Sequence, residues 1–205
     1  MASASYATRL KSDFTTMAWV LIPIAVGMNL VGRFVVQTLR LPFFLDVTGT
    51  FLLAILAGPW VAAVGGILTA VMIAVTINPA TLPFAITQAT LGIVAGLLAM
   101  RGWFAIQETV DYWKLLGAAV ILGFISALVS TPIAVYVFGG VTGAPADVAT
   151  GIVLAAGRDL LEAVFAGRIV FELIDKLVAV VVAYLIVIKL PDRYLPERAE
   201  KALNR

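Results

Sequence analysis

The chain has 205 residues, of which 62% are hydrophobic and 13% charged, with no Cys, no His and a formal net charge of +2. Ordinary soluble domains are roughly 45–50% apolar and about 25% charged, so lipid must cover part of this surface, and residues 1–205 read as a single integral membrane domain. The absent Cys and His exclude disulfides, thiol nucleophiles, Ser-His triads, HExxH zinc sites and imidazole ligation of haem, nickel or cobalt.

A helical span needs about 20 apolar residues, within roughly 17–25, and six segments qualify. The first covers 16–39, after Lys11–Asp13 and before Arg40. Arg9 and Lys11 precede it as they would a signal peptide, but Gly32-Arg33-Phe34 follows in place of a small-residue cleavage site, so it stays a span. From Pro42 to Ile77 the chain is almost continuously apolar. One helix of that length would reach ~54 Å, against a hydrocarbon core of about 30 Å. Gly58-Pro59 is the natural break, because Gly ends helices and Pro opens them. The second and third spans are therefore 42–57 and 59–77, a tight helical hairpin.

The turn Asn78-Pro-Ala-Thr-Leu-Pro83 leads to the fourth span, 83–100. Residues 101–114, with Trp103, Glu108, Asp111, Tyr112 and Trp113, suit a membrane interface. The fifth span is 115–138 and contains Thr131-Pro132, the signature of a relieved kink. A long loop, 139–168, opens with Gly-Gly-Val-Thr-Gly-Ala-Pro and continues through 146–166 with helical spacing, short enough to dip into the membrane or lie across a cavity mouth. The sixth span is 169–190. The fold class expected is thus all-α: a six-transmembrane-helix bundle with a long outward-facing loop between helices five and six. Ala62-xxx-Gly66, Ala70-xxx-Ala74, Gly92-xxx-Gly96 and Ala95-xxx-Ala99 argue for close helix packing.

Six spans put both termini on one side. Arg9, Lys11, Arg101, Lys114, Lys189, Arg193, Arg198, Lys201 and Arg205 fall there; Arg33, Arg40, Arg158 and Arg168 fall on the other. The positive-inside rule makes the first side cytoplasmic. The basic residues are read as topology signals, and no nucleic acid is expected as a partner.

Ionisable groups within a membrane are costly and mark function by default. Asp46 lies one turn into the second span. Glu172, Asp175 and Lys176 lie in the first two turns of the sixth, with Glu172 and Lys176 spaced to pair at i, i+4. Gln88, Asn78, Thr131 and Tyr136 fall at the same outer level. Glu172–Lys176 is either a structural ion pair or part of a ligand site, and Asp46 either binds or pairs with Arg33 or Arg40. The inner half is nearly pure aliphatic. No polar path crosses the membrane, as a proton-coupled carrier needs near its midplane. The pattern is an outward cup.

The stretch Phe44-Leu-Asp-Val-Thr-Gly-Thr-Phe-Leu-Leu-Ala-Ile-Leu-Ala-Gly-Pro59 resembles the second and third helices of the substrate-binding S components of energy-coupling factor (ECF) transporters. So does Phe171-Glu-Leu-Ile-Asp-Lys176 with Lys189-Leu-Pro191 closing the last helix, and Phe138-Gly-Gly-Val-Thr-Gly143 is similar to a loop of one branch of that family. The resemblance implies a six-helix subunit of a prokaryotic plasma membrane, with both termini cytoplasmic. It implies capture of a vitamin or related heterocycle from outside: thiamine or its pyrimidine precursor, riboflavin, or a base. It further implies a coupling membrane subunit and two cytoplasmic ATPase subunits as partners, which fits the missing GxxxxGK[ST] motif. Family members bind substrate on the outer parts of helices four to six, which here offer Phe84, Gln88, Thr131, Tyr136, Arg158, Glu172 and Lys176, with Asn78 and Asp46 at the rim. Aromatic faces with a few polar groups suit a planar heterocycle, and Glu with Gln would favour a cationic or amino-bearing ring. One departure stands out. The Ala-xxx-Ala pattern by which many S components dock on the coupling subunit is broken, since Ala18 is followed by Ile22 and Ala25 by Asn29.

No cofactor and no enzymatic role is expected. A stand-alone secondary carrier or small-solute channel is the alternative, with dimerisation through Gly92-xxx-Gly96. A lipid-active enzyme resting on Glu172/Asp175 and a purely structural subunit are the others.

Overall fold

The computed structural model describes residues 13–39, 41, 43–106, 111–191, 195, 196, 199, 200 and 203. Arg40, Pro42, Glu108 and the basic residues Arg9, Lys11, Arg193, Arg198, Lys201 and Arg205, all used above, lie outside them. The described chain is all-helical and contains no strand. Its helices are α1 (Thr16–Leu39), α2 (Thr48–Leu56), α3 (Pro59–Thr76), α4 (Ala85–Met100), α5 (Tyr112–Phe138), α6 (Ala146–Ala155) and α7 (Leu160–Lys189), with a 3-10 turn at Pro79–Phe84 ahead of α4.

Among the described residues, four helical segments are long and apolar enough to cross a membrane: α1, α3, the stretch Pro79–Met100 and α5. Their outer faces carry large apolar side chains, including Trp19, Ile24, Phe34, Val75, Ile86 and Phe124, all exposed. A soluble protein does not present apolar surface on that scale. This is a membrane-embedded, multi-pass helical protein.

Two expected spans come out differently. The stretch 42–57 is not one helix: 43–46 is irregular, and α2 begins only at Thr48. The reason lies far away in sequence. Asp175 accepts hydrogen bonds from the Phe44 and Leu45 amides at 2.9 and 2.8 Å, which takes them out of any helical ladder, and Leu45 turns the chain with φ 47°. In place of the last expected span stands helix α7, which begins nine residues earlier, at Leu160, where the Asp159 carboxylate caps the amides of Leu161 and Glu162. Glu172, Asp175 and Lys176 therefore sit near the middle of a 30-residue helix, not in its first two turns. The segment 146–166 resolves into α6, a break at Gly157 (φ 82°), and the start of α7.

The Gly58-Pro59 break is observed. Gly58, at φ 93°, joins α2 to α3, and Pro59 opens α3. All nine residues of α2 are buried, because α1, α3, α4 and α7 surround it. The small-residue motifs of α3 and α4 face each other. A Cβ on Gly92 would lie 2.6 Å from the Ala62 carbonyl carbon, and one on Gly66 would lie 2.7 Å from the Gln88 carbonyl oxygen. The Gly92-xxx-Gly96 face is thus occupied within the chain, and dimerisation through it is excluded. The broken Ala-xxx-Ala stripe of α1 also faces inward, since Ala18, Ile22, Ala25 and Asn29 are all buried.

Deep in this packing Asn29 holds three helices together. Its amide donates to Thr50 and Thr69, each at 3.0 Å, and its oxygen accepts from the Gly49 amide. Away from the polar residues, Phe51, Leu53, Ile55, Leu122, Val180 and Val187 fill the core.

Candidate functional site

Polar side chains from the C-terminal halves of α1 and α5 meet those from the N-terminal turns of α4 and the middle of α7. Between them lies a cavity of about 110 Å³. A single ordered water needs roughly 10–15 Å³, so the space accommodates a solute of several heavy atoms. Segment 44–47, the turn 78–84 and loop 142–144 complete its wall.

The expected residues divide. Asp46, Asn78, Phe84, Gln88, Glu172 and Lys176 line this cavity. Thr131, Tyr136 and Arg158 do not. Thr131 is buried with its hydroxyl unpartnered, one position beyond the lining residue Ser130. Tyr136 is 79% exposed on the outer face of α5. Arg158 lies in the exposed connection before α7 and pairs with Glu162 at 3.6 Å.

Lys176 is clamped between two carboxylates, donating to Glu172 at 2.7 Å and to Asp175 at 2.8 Å. Ser126 on α5 donates to the same Glu172 oxygen at 2.7 Å. The second oxygen of Asp175 holds segment 44–45 in place. One buried cluster on α7 thereby fixes α5 and the cavity wall together. Asp46 pairs with Arg33 at 3.7 Å, and Arg33 also lies over the Phe44 ring. That pair is half-buried, whereas Lys176 and its two carboxylates are buried, and removing one partner there leaves an uncompensated charge.

The other polar groups are less satisfied. Gln88 donates to the Asp46 carbonyl at 3.2 Å, but its oxygen has no partner. The hydroxyls of Thr87 and Ser130 and the Nε–H groups of Arg33 and Arg168 are likewise buried without partners. Buried polar groups are nearly always hydrogen-bonded, and each exception calls for an explanation. Here five converge on one cavity. Asn78 is more committed, its side-chain oxygen accepting from the Ala80 amide to start the turn. Phe84 stacks on Phe138 with ring centroids 5.8 Å apart, giving the wall an aromatic face.

Sequence reasoning missed Thr87, Ser126, Ser130 and Thr142, and placed Arg168 among the loop charges. A signal was present for two groups of them. Arg168, Glu172 and Lys176 repeat at i, i+4, i+8, which puts all three on one helix face, and Ser126 and Ser130 are spaced i, i+4 on α5. Thr142 depends on the loop and has no such signature.

No family model, no characterised protein and no solved structure matches this chain.

Proposed function

We propose that the chain is the substrate-binding membrane subunit of an ECF-type importer, capturing a vitamin or related small heterocycle. The observation that carries this reading is the cavity, where unsatisfied buried polar groups and aromatic faces gather at one end of an otherwise apolar bundle. Such a site is shaped to hold a small solute. The resemblance of 44–59, 138–143 and 171–176 to S components supports the same reading. The coupling membrane subunit and two ATPase subunits would supply the energy.

Six crossings fit this function. Nine helical residues of α2 rise ~14 Å, and the non-helical stretch 43–47 adds to that reach toward the ~30 Å hydrocarbon thickness. Non-helical backbone is tolerated at membrane depth only inside protein, and Asp175 supplies the hydrogen bonds that lipid cannot. Helix α7, at ~45 Å, is long enough to span with its charged half turned to the cavity. Under the positive-inside rule the cavity faces outward and both termini are cytoplasmic.

Binding without autonomous transport is the test. In proteoliposomes containing the chain alone, radiolabelled thiamine, riboflavin, adenine, nicotinate and orotate are offered with and without proton or sodium gradients. The expected result is saturable binding of one probe at about one molecule per chain, unaltered by either gradient. Gradient-driven accumulation would instead establish a stand-alone carrier.

A further inference from the structure

Each charge lining the cavity has an opposite charge beside it, with one exception. Lys176 has Glu172 and Asp175, and Arg33 has Asp46. Arg168 is only 4% exposed, yet among the described residues no carboxylate lies within 4.0 Å of it. Its contacts are one hydrogen bond from Nη2 to the Thr142 hydroxyl at 2.9 Å and the face of Phe84 at 5.5 Å. Its Nε–H has no acceptor.

Both carboxylates whose field reaches Arg168 are already in use: Glu172, one turn further along α7, is held by Lys176 and Ser126. Asp147 accepts from the Thr142 amide and hydroxyl and from the amides of Gly143 and Ala144, so both its oxygens are spent holding loop 142–144. Arg168 reaches it only through the Thr142 hydroxyl, which accepts from Arg168 and donates to Asp147. Relief by deprotonation is closed as well, because a guanidinium keeps its proton in proteins. An isolated buried charge is costly, and a planar fork of donors matches an oxyanion bidentately.

We infer that the solute carries an oxyanion, a carboxylate or a phosphate monoester, and that Arg168 is its counter-ion. The inference rests on the binding reading above and narrows it. The anionic group lies against Arg168, the planar body lies by Phe84, and the unpaired Gln88 oxygen and Ser130 hydroxyl take the polar groups at its other end. The amino-bearing ring favoured by Glu172 and Gln88 alone is thereby qualified, since Glu172 is already engaged by Lys176 and Ser126.

Matched pairs test it. Detergent-purified full-length protein is melted with nicotinate against nicotinamide, orotate against uracil, and pyridoxal phosphate against pyridoxal, with inorganic phosphate as a further probe. Wild type is expected to be stabilised by at least one charged member and not by its neutral twin; which pair responds tells carboxylate from phosphate. Arg168→Gln should weaken that response at least about thirtyfold in concentration, the scale of truncating one partner of a buried charge pair, and Arg168→Lys should restore part of it. Equal stabilisation by both members of a pair, or by neutral members alone, overturns the inference and leaves the binding reading standing. A response of Arg168→Gln equal to that of wild type also overturns it. A flat response to every probe here and to uncharged vitamins, from protein that melts cooperatively, overturns the binding reading itself.

Discussion

Asp175 carries two duties that pull on different parts of the fold. One oxygen neutralises Lys176; the other replaces the helical partners of Phe44 and Leu45. Asp175→Ala should therefore cost about 3–5 kcal/mol, the scale for breaking a buried ion pair, read as a fall in melting temperature in detergent. Glu172→Ala should behave differently. Lys176 keeps Asp175, so the loss of stability is smaller, while ligand affinity drops because Glu172 positions Lys176 and Ser126, which both line the cavity. Equal losses of stability in the two variants, with affinity unchanged in Glu172→Ala, would deny the division. At this scale the sequence showed what is local. The Glu172–Lys176 pair follows from spacing on one helix. The link from Asp175 to Phe44 spans 131 positions and has no local signature, and the solitude of Arg168 emerges only once Asp147 is seen to be occupied.

At the level of helices, apolar length located α1 and α3 almost residue by residue and α5 to within three residues. The stretch 42–57 misled because apolarity reports burial, not conformation; its backbone is diverted by a side chain from another helix. The start of α7 was hidden by Arg158, Asp159 and Glu162, charges that suggest a loop but here cap and decorate a helix. Close packing of α3 on α4 depends on hydrogen atoms where other residues have Cβ. Gly92→Leu would press on the backbone of Ala62 and Ala63, and overpacking of this kind costs about 1–3 kcal/mol or more. A Cβ added at Gly151 on α6 would meet nothing within 4 Å, so Gly151→Ala should leave stability unchanged or raise it by up to about 1 kcal/mol through helix propensity. Melting curves of the two variants side by side check both statements, and a Gly92→Leu protein as stable as wild type would contradict the packing.

Across the whole molecule, polarity is concentrated at the cavity: the Glu172–Asp175–Lys176 cluster, Arg168 and the Arg33–Asp46 pair gather there, while a largely aliphatic core fills the bundle elsewhere. That separation was legible from the positions of Asp46, Gln88 and Glu172 in otherwise apolar runs. The enclosure of the space by loop 142–144 was not, because it needs the Asp147-centred turn to bring a distant loop over α7. The central claim is that this space is a binding site, and a thermal-shift screen of the detergent-purified protein against water-soluble vitamins, their precursors and nucleobases tests it most directly. A ligand at 100 times its Kd stabilises a fold by about 2.7 kcal/mol, worth roughly 5–10 °C for a chain of this size. We predict a shift of that order from one chemical class, lost when Ser130→Phe fills the cavity. A flat response across the panel from cooperatively melting protein, or a shift that survives in Ser130→Phe, would contradict it.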